Sequence, residues 1–335
     1  MQIIKPMATH MPHNCTSEQF IERIGRTCYK SEDKITNESA SRFVAGLIKS
    51  RHWAMLEHEI IYMILTPGVM DSFCNDLRYM NISTEFLDFT CIKNSPYNVM
   101  SGSIRAFYDI FDQYVNSPDK GESHIPIDYV IALVKASYPW GFEGIPMPVS
   151  IQHLDLTKAP ENRILLRDEF IDTFKDNPTV LFRHLNHTVR FTVDRGVTHE
   201  LCRHRKVAYA MESTRYCNYS KGKFGNELTV IEPLFYKDSP EDYEIWKRGC
   251  EQDEKIYFEL TDRENNPRTA QEARDNLPHS IKADLIMTTT EEEWQHIVNL
   301  RAIGTTGAPH PQAKEAVDLW AKQLVDITNG RVKYI

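Results

Sequence analysis

The 335-residue sequence predicts an α+β fold, in which strands and long helices are mixed without regular βα alternation. Short segments rich in β-branched and aromatic residues predict strands. Most of the sequence after residue 234 instead carries apolar residues at helical spacing, and no repeat or low-complexity tract interrupts the chain.

The N-terminal part predicts helices followed by a strand. Residues 17–50 alternate short helical patterns with a polar loop, and the apolar positions of SASRFVAGLIKSRH predict a helix that ends near His52. The segment LEHEIIYMIL then predicts a strand that begins close to Glu57, directly after the motif HWAMLEH.

Most of residues 67–177 carry apolar residues at helical spacing. The segments SIRAFYDIFDQYV and DYVIALVKAS are examples. The Pro- and Gly-rich WGFEGIPMPVS interrupts them. We therefore interpret residues 67–180 as a mostly helical insertion or covering subdomain within one domain that spans 1–335.

The C-terminal part predicts two strands and a series of helices. NHTVRFTVDRG alternates at Val189, Phe191 and Val193, so it predicts a strand, and HELCRHR should lie at its end or at the start of the following helix. ELTVIEPL predicts the second strand. Helices are predicted for all that follows, in DYEIWKRGCEQDEKIYFELTD, TAQEARDNL, EEEWQHIVNLRAI and QAKEAVDLWAKQLVDIT.

Composition limits the classes of function. The seven cysteines are scattered and never form CxxC, which favours reduced thiols inside the cell. The sequence shows no signal-peptide pattern, and no apolar run approaches the roughly 20 residues that cross a bilayer, so we expect a cytoplasmic protein without a membrane partner. The net charge of −8 argues against a nucleic-acid partner.

One segment, residues 183–215, is basic although the chain as a whole is acidic. Between residues 183 and 215, seven cations face three carboxylates, a local balance of +4. The cations are Arg183, Arg190, Arg195, Arg203, Arg205, Lys206 and Arg215, and the carboxylates are Asp194, Glu200 and Glu212. Because guanidinium groups bind planar phosphates and carboxylates in a bidentate manner, the segment predicts a site for a small anionic ligand.

The triplet Arg203-His204-Arg205 places two guanidinium groups at i and i+2. In a helix they would diverge and in a strand they would share a face, and either arrangement can hold two anionic groups. The alternative is a solvated basic turn. Ser213, Arg215 and Tyr216 add a hydroxyl, a guanidinium and a phenol, which suit a phosphate and a polar ring.

Other chemistries find less support in the same segment. His199 and His204 are five residues apart, whereas a helical zinc motif needs four, so we expect no metal site. Cys202 beside Arg203 is either an activated thiolate or, as we favour, a small buried residue. Ser213 is a nucleophile only if a base lies within reach, and ligand binding is the favoured role. The chain has neither GxGxxG nor GxxxxGK[ST].

The spacing of Arg203-His204-Arg205, seven residues and then Ser213, with Arg215-Tyr216 following, resembles the signature of the flavin-dependent thymidylate synthase (ThyX) family. The segments CYKSEDKIT, HWAMLEH, SGSIRAF, DRGVTHELCRHR and NLRA are also similar to that family. The likeness is strongest in residues 26–64, 186–232 and 270–302.

The resemblance implies a twisted antiparallel sheet flanked by helices, and a homotetramer with active sites shared between subunits. It implies FAD as the cofactor, with 5,10-methylenetetrahydrofolate and NADPH as co-substrates in the reductive methylation of dUMP to dTMP. A classical, flavin-free synthase needs a cysteine in a Pro-Cys-His setting, which this chain lacks.

The resemblance also assigns site residues by position, with Arg301 as the catalytic residue that polarises the uracil ring. The dUMP-binding set is Glu200, Arg203, Glu212, Ser213, Thr214, Arg215, Arg274 and Arg301. The FAD-binding set is His52, Ala54, Arg203, His204, Arg205, Met211, Thr290, Glu291, Glu292 and His296. His310 is placed in the role of the family's C-terminal histidine.

Two alternatives remain open. The family often has Ser and Asn where this chain has Ala208 and Ala210, and an acidic residue where it has Met211. These differences motivate the hypothesis of a non-catalytic nucleotide-binding protein with the same fold. A single-stranded nucleic-acid binder is the other hypothesis, and it would show strongly salt-dependent affinity for oligonucleotides.

Overall fold

The computed structural model describes residues 1–117, 125–147 and 161–334, and its helices and antiparallel sheets confirm the α+β class. The strands in these ranges are β1 Gln2–Ile4, β2 Met7–His10, β3 Ile60–Leu65, β4 Leu87–Thr90, β5 Asn98–Ser103, β6 Arg163–Leu165, β7 Asn186–Asp194, β8 Ala208–Met211, β9 Thr229–Ile231 and β10 Lys282–Thr290. The helices are α1 Ser17–Cys28, α2 Ser39–Lys49, α3 Pro67–Tyr79, α4 Ile104–Val115, α5 Ile125–Ser137, α6 Arg167–Phe174, α7 Pro178–His184, α8 Arg195–Leu201, α9 Pro240–Asp262, α10 Ala270–Ala273, α11 Glu291–Val298 and α12 Pro311–Ile327.

The chain forms two compact units. The first unit comprises residues 1–40 and 187–335, and the second comprises residues 41–186. The interval 67–180 lies within the second unit, where its role as an insertion or covering subdomain stays a prediction. The assignment of residues 1–335 to one catalytic domain also stays a prediction. Within the described ranges, no helix is both long and apolar enough to cross a membrane.

The first unit is built on a four-stranded sheet with the order β2-β7-β10-β8. β2 is antiparallel to β7, and β8 is antiparallel to β10. β1 and β9 form a separate parallel pair. The prediction of helices alone after residue 234 was wrong, because β10 lies there. Its interior is continuously buried, so its apolar residues do not alternate with polar ones as a half-exposed strand requires.

Strand β7 leads directly into helix α8, as the sequence predicts. Val189, Phe191 and Val193 are buried, and Asp194 ends the strand and caps α8, accepting a hydrogen bond from the Val197 N–H at 2.8 Å. The helix ends at Leu201. The triplet 203–205 therefore lies in the turn after the helix, and neither the helical nor the strand arrangement considered for it applies.

The C-terminal helices pack their aromatic residues into the core of the first unit. Trp294 of α11 and Trp320 of α12 are fully buried and meet edge to face, with ring centroids 5.4 Å apart. The Trp294 indole N–H donates to the His187 carbonyl at 3.0 Å, which fixes α11 against β7. Helix α11 continues from β10 without a loop and carries the next site residues.

The second unit contains an antiparallel sheet with the order β4-β5-β3-β6. The strand predicted to begin close to Glu57 begins at Ile60, because residues 53–58 form a 3₁₀ helix. Three strands, β4, β5 and β6, were not predicted in the interval 67–180. They are short, and β5 ends in the polar sequence Ser-Gly-Ser, so their patterns are weak.

Candidate active site

Arg301 lies in a π-helical turn at the end of α11. The turn spans Asn299–Ile303 and is closed by Gly304, whose N–H donates to the Asn299 carbonyl at 2.9 Å. Gly304 has φ +81°, and a Cβ there would lie 2.9 Å from the Gly307 carbonyl oxygen, so only glycine fits. Single π turns within α-helices occur frequently at functional sites. The sequence predicted a continuous helix through Arg301.

The Arg301 guanidinium contacts two residues, Glu200 and His204, that lie about a hundred positions earlier in the sequence. Its Nη1 lies 2.6 Å from Glu200 Oε2, and its Nη2 donates to the Glu200 carbonyl at 2.8 Å. Its Nε donates to His204 Nε2 at 3.3 Å. Glu200, His204 and Arg301, which the resemblance assigns to one site, are therefore in direct contact.

His204 is buried and uncharged at neutral pH. Burial, together with the nearby Arg301 and His296, lowers the pKa of His204 from 6.5 to about 4. Because His204 Nε2 accepts from Arg301, the ring proton belongs on Nδ1, which lies 3.9 Å from Glu293 Oε1. The His296 ring stands perpendicular to that of His204 at a centroid distance of 5.9 Å.

The lowered pKa of His204 predicts acid sensitivity. Unfolded chains bind a proton at this ring below pH 6.5 and the folded chain only near pH 4, so stability falls as pH falls through that window. We expect the free energy of unfolding of the unmodified protein to drop by about 2 kcal/mol more between pH 7 and pH 5 than that of His204→Gln. Urea denaturation at both pH values measures the difference, and equal drops would contradict the assignment.

His204, Glu293 and His296 form a group whose ligand atoms all lie within 4.8 Å of one another. Two histidines and a carboxylate are a common metal-binding set. Here the Arg301 N–H occupies His204 Nε2, which places the proton on the nitrogen that faces Glu293, and the guanidinium adds a positive charge beside the ring. These contacts disfavour a cation. The expectation that the site holds no metal stays a prediction.

The turn that carries Arg203-His204-Arg205 is held by Tyr209. The Tyr209 hydroxyl lies 2.7 Å from the His204 carbonyl oxygen and 2.9 Å from that of Leu201. Sequence reasoning missed this residue, because β8 has the sequence AYAM, which shows no alternation of polar and apolar residues and was not predicted as a strand. Ala208 and Ala210 are buried on one face and Tyr209 points to the other. The two alanines thus fill the core.

Four predicted anion-binding arginines are exposed: Arg203, Arg205, Arg215 and Arg274. None of them makes an ion pair with any residue in the described ranges. Exposed guanidinium groups without an internal carboxylate keep their hydrogen-bond donors available for phosphate groups. The structure does not join these four by direct contacts, and their individual roles stay predictions.

The segment after β8 carries the second half of the signature. The Ser213 N–H donates to the Cys28 carbonyl at 3.0 Å, and the Ser213 hydroxyl accepts from the Arg215 N–H at 3.3 Å. Ser213 and Thr214 are half-buried. Met211, the last residue of β8, pairs with Leu285. The Ser213 side chain thus organises its own turn, and no base lies in hydrogen-bond contact with it among the described atoms.

Glu212 is almost completely buried, and its carboxylate is already occupied. Lys282 Nζ lies 2.5 Å from Glu212 Oε2, and the Tyr219 hydroxyl donates to Oε1 at 3.1 Å. Lys30 and Asp284 complete the surroundings of this carboxylate. Sequence reasoning missed all four partners, because Lys30, Lys282 and Asp284 lie far from Glu212 in the sequence, and Tyr219, seven residues away, belongs to no pattern that links it to Glu212. A direct contact of Glu212 with dUMP stays a prediction.

The remaining FAD-binding predictions fall in different surroundings. Thr290 caps α11, accepting from the Glu293 N–H at 3.3 Å. Glu291 is fully buried between His187 Nε2 at 2.9 Å and the Arg331 guanidinium at 2.7 Å. Glu292 is exposed. His52 and Ala54 belong to the second unit, where His52 is exposed and Ala54 half-buried.

Three further residues were considered in the sequence. Cys202 is exposed, so the favoured interpretation as a buried residue was wrong, and partial desolvation raises the pKa of its thiol, opposite to what an activated thiolate needs. His199 is exposed while His204 is buried, so they do not form a zinc pair. The His310 ring stands edge to face on Phe235 at 5.7 Å.

The comparison with protein families decides the relationship of this chain. The family described as thymidylate synthase complementing protein matches residues 131–329, which is more than half of the 335 residues. The chain belongs to this family. The resemblance to the ThyX family that the signature indicated is thereby confirmed.

Individual relatives match this chain in part. A flavin-dependent thymidylate synthase of Pyrococcus abyssi is 30% identical over 117 residues, covering 34% of this chain and 46% of that protein. The enzyme of the same name from Pyrococcus furiosus is 31% identical over 117 residues, with the same coverage of both chains. The one from Corynebacterium efficiens is 26% identical over 137 residues, covering 37% and 52%. The chain thus matches about half the length of these relatives.

Among solved structures, a UMP/dUMP methylase, PolB from Streptomyces cacaoi bound with 5-Br dUMP, is similar at a TM-score of 0.39 and 12% identity. That alignment covers 99% of this chain and 96% of the other. The similarity is too low to support an argument about this member of the family, and none of the site assignments rests on it.

Proposed function

We propose that this protein is a flavin-dependent thymidylate synthase that converts dUMP to dTMP. The observation that carries the proposal is the contact of Arg301 with Glu200 at 2.6 Å and with His204 at 3.3 Å. The family signature and the arginine proposed to act on the substrate are almost a hundred positions apart in the sequence. Their convergence is what a shared active site requires.

The residues present fit a flavin adenine dinucleotide. A pyrophosphate needs exposed positive groups, and Arg203 and Arg205 are exposed and make no ion pair within the part of the chain described. We propose that these two arginines, with His204 between them, hold the cofactor together with the exposed Glu292 and His296. When bound, the flavin supplies hydride transfer, with NADPH as the source of the hydride.

Arg301 would act on the pyrimidine. Carbon–carbon bond formation at uracil C5 builds negative charge on N3 and O4, and a fixed guanidinium stabilises that charge without giving up its proton. Glu200 orients the guanidinium through both its carboxylate and its carbonyl oxygen. The methylene carbon bonds to C5 while its bonds to the folate nitrogens break; C5 loses its proton, and the nitrogens take up protons as tetrahydrofolate is released. One hydride completes the methyl group.

The same family membership motivates two structural proposals. We propose that the fold corresponds to the twisted antiparallel sheet flanked by helices of the ThyX family. We also propose a homotetramer in which neighbouring subunits complete each active site. Size-exclusion chromatography with light scattering tests the second proposal, which requires four chains per particle.

Product formation tests the proposed reaction. We expect the purified protein to form dTMP from dUMP when methylenetetrahydrofolate and NADPH are both present, and to form none when either is omitted. Product is measured by chromatography. Binding of dUMP without turnover in the complete mixture would contradict the proposal and support the non-catalytic alternative that Ala208, Ala210 and Met211 motivated.

A further inference from the structure

Two lysines and two carboxylates lie together inside the first unit. Lys282 Nζ lies 2.5 Å from Glu212 Oε2 and 3.3 Å from Asp284 Oδ2. Lys30 Nζ pairs with Asp284 and lies 3.5 Å from Glu212 Oε2. We name Lys30, Glu212, Lys282 and Asp284 the buried charge cluster. Its carboxylate side chains are only 1% and 6% exposed, and its formal charges balance.

Neutral donors complete the cluster. The Tyr219 hydroxyl donates to Glu212 Oε1 at 3.1 Å, and the Asp284 N–H donates to Glu212 Oε2 at 3.2 Å. The Thr192 hydroxyl donates to Asp284 Oδ1 at 2.5 Å. Each carboxylate oxygen therefore has a donor. A buried polar network with every member satisfied fixes one arrangement of the chains that contribute to it.

Two residues of the buried charge cluster lie next to the contact between Ser213 and the end of α1. Glu212 directly precedes Ser213, and Lys30 follows Cys28 by two residues. Between them, the Ser213 N–H donates to the Cys28 carbonyl at 3.0 Å. Tyr29, the residue before Lys30, also contacts Tyr216, and their ring centroids lie 5.5 Å apart. The end of α1 and the turn at Ser213 are thus joined by an ion pair, a hydrogen bond and a ring contact.

Lys30 has an unusual backbone conformation for its residue type. Its φ of +48° lies in the left-handed region, which favours glycine over residues with a Cβ. The N–H of the next residue, Ser31, donates back to the Arg26 carbonyl at 2.9 Å, which ends α1. Glycine would make the same turn with less strain. Unlike glycine, the lysine supplies a side chain that pairs with two buried carboxylates, those of Asp284 and Glu212.

We propose that Lys30 and Glu212 are positioning residues, whose ion pair within the buried charge cluster holds the segment Ser213–Arg215 in the geometry that the nucleotide substrate requires. This inference rests on the proposed function for the identity of the substrate. Because Lys282, the Tyr219 hydroxyl and the Asp284 N–H already occupy both Glu212 oxygens, this positioning role replaces the direct contact with dUMP that sequence position assigns to Glu212. Loosening the cluster is therefore predicted to weaken capture of dUMP through the segment Ser213–Arg215. The exposed Arg215 and the half-buried Ser213 and Thr214 stay chemically intact.

The paired variant Lys30→Met with Glu212→Gln tests the proposal. It removes one charge of each sign and leaves Lys282 facing Asp284 at 3.3 Å, so no unpaired charge remains buried. We expect the KM for dUMP to rise about tenfold with kcat changed far less. We also expect faster hydrogen exchange at the amides of Ser213 and Cys217, which bond to Cys28 and Ser213.

A matched control lies on the same helix. Arg26 and Glu22 of α1 form an ion pair at 3.0 Å with side chains 16% and 1% exposed, close to the 18% and 1% of Lys30 and Glu212. The paired change Arg26→Met with Glu22→Gln should leave both the KM for dUMP and the exchange at Ser213 unchanged. The conservative variant Lys30→Arg retains the charge and should keep the KM close to that of the unmodified protein.

The outcomes separate this inference from the proposed function. If the unmodified protein forms no dTMP, the proposed function fails, and the exchange rates still decide whether the cluster orders the segment. Equal exchange and equal KM in the paired variant and its control would overturn the inference. If the paired variant does not fold, Tyr219→Phe removes only one hydroxyl donor to Glu212 and should shift both readouts in the same direction.

Discussion

Replacement of Arg301 by lysine is expected to lower turnover of dUMP by about two to three orders of magnitude, the usual effect of removing one donor that stabilises charge in a transition state. The protein should still fold and bind flavin. Lysine keeps the charge but cannot reach the Glu200 carboxylate, the Glu200 carbonyl and His204 at once, as the guanidinium does. Steady-state kinetics with dUMP measure the effect.

Arg26→Lys is the matched control for this change. Arg26 is also a partly buried arginine paired with a glutamate, at 3.0 Å, and it lies on α1 outside the proposed catalytic residues. Its replacement should leave turnover nearly unchanged. Near-normal turnover in Arg301→Lys would remove Arg301 from its proposed role in polarising the uracil ring.

Asp284→Ala is expected to destabilise the protein by about 3 to 5 kcal/mol, because it leaves Lys30 and Lys282 with one carboxylate between them. Burial opposes the ionisation of Asp284, yet Lys282 and Lys30 beside it hold its pKa at about 2. The carboxylate is therefore charged at neutral pH. Calorimetry should show a Tm lower by about 10 °C.

Asp33→Ala provides the comparison for this stability change. Asp33 pairs with Lys223 at 2.9 Å, but both side chains are largely in solvent, at 63% and 42% exposed. Its loss should leave the Tm unchanged, since exposed pairs contribute little. If Asp284→Ala and Asp33→Ala had the same Tm, the buried charge cluster would not be the tightly coupled network described above.

The sequence predicts site residues mainly where the predicted function depends on residue type. Arginines at the signature, Ser213 and Arg301 are recognisable because their chemistry and spacing are specific. Strand β7 was also predictable, because alternation at Val189, Phe191 and Val193 reports one buried face. These features are local in sequence, or tied to a family pattern.

Structural features formed by residues that are far apart in the sequence could not be predicted from local sequence patterns. The π turn at Asn299–Ile303 has the composition of an ordinary helix, and only the hydrogen bond from Gly304 back to Asn299 reveals it. The buried charge cluster draws Lys30, Glu212 and Lys282 from three separate segments. A lysine and a glutamate in a sequence suggest solvent exposure, and nothing local to them indicates burial.

The two neighbouring glutamates Glu291 and Glu292, both assigned to the FAD-binding set by the resemblance, have different surroundings in the structure. Position alone places Glu291 with the flavin, whereas its carboxylate lies fully buried between His187 and Arg331. That arrangement fixes the start of α11, the helix that leads to Arg301. Its neighbour Glu292 is exposed and accessible to a ligand. Separate Glu291→Gln and Glu292→Gln variants, compared in stability and in FAD binding, would show which glutamate supports the fold and which contacts the flavin.

The central claim is that the signature residues form a flavin-dependent active site, and the absorption spectrum of the purified protein tests it most directly. We predict the bands of oxidised flavin after incubation with FAD and removal of the excess, and bleaching of those bands by NADPH when dUMP is present. The double variant Arg203→Ala with Arg205→Ala should lose the bands. A protein that remains colourless, with no NADPH oxidised in the presence of dUMP, would contradict the account.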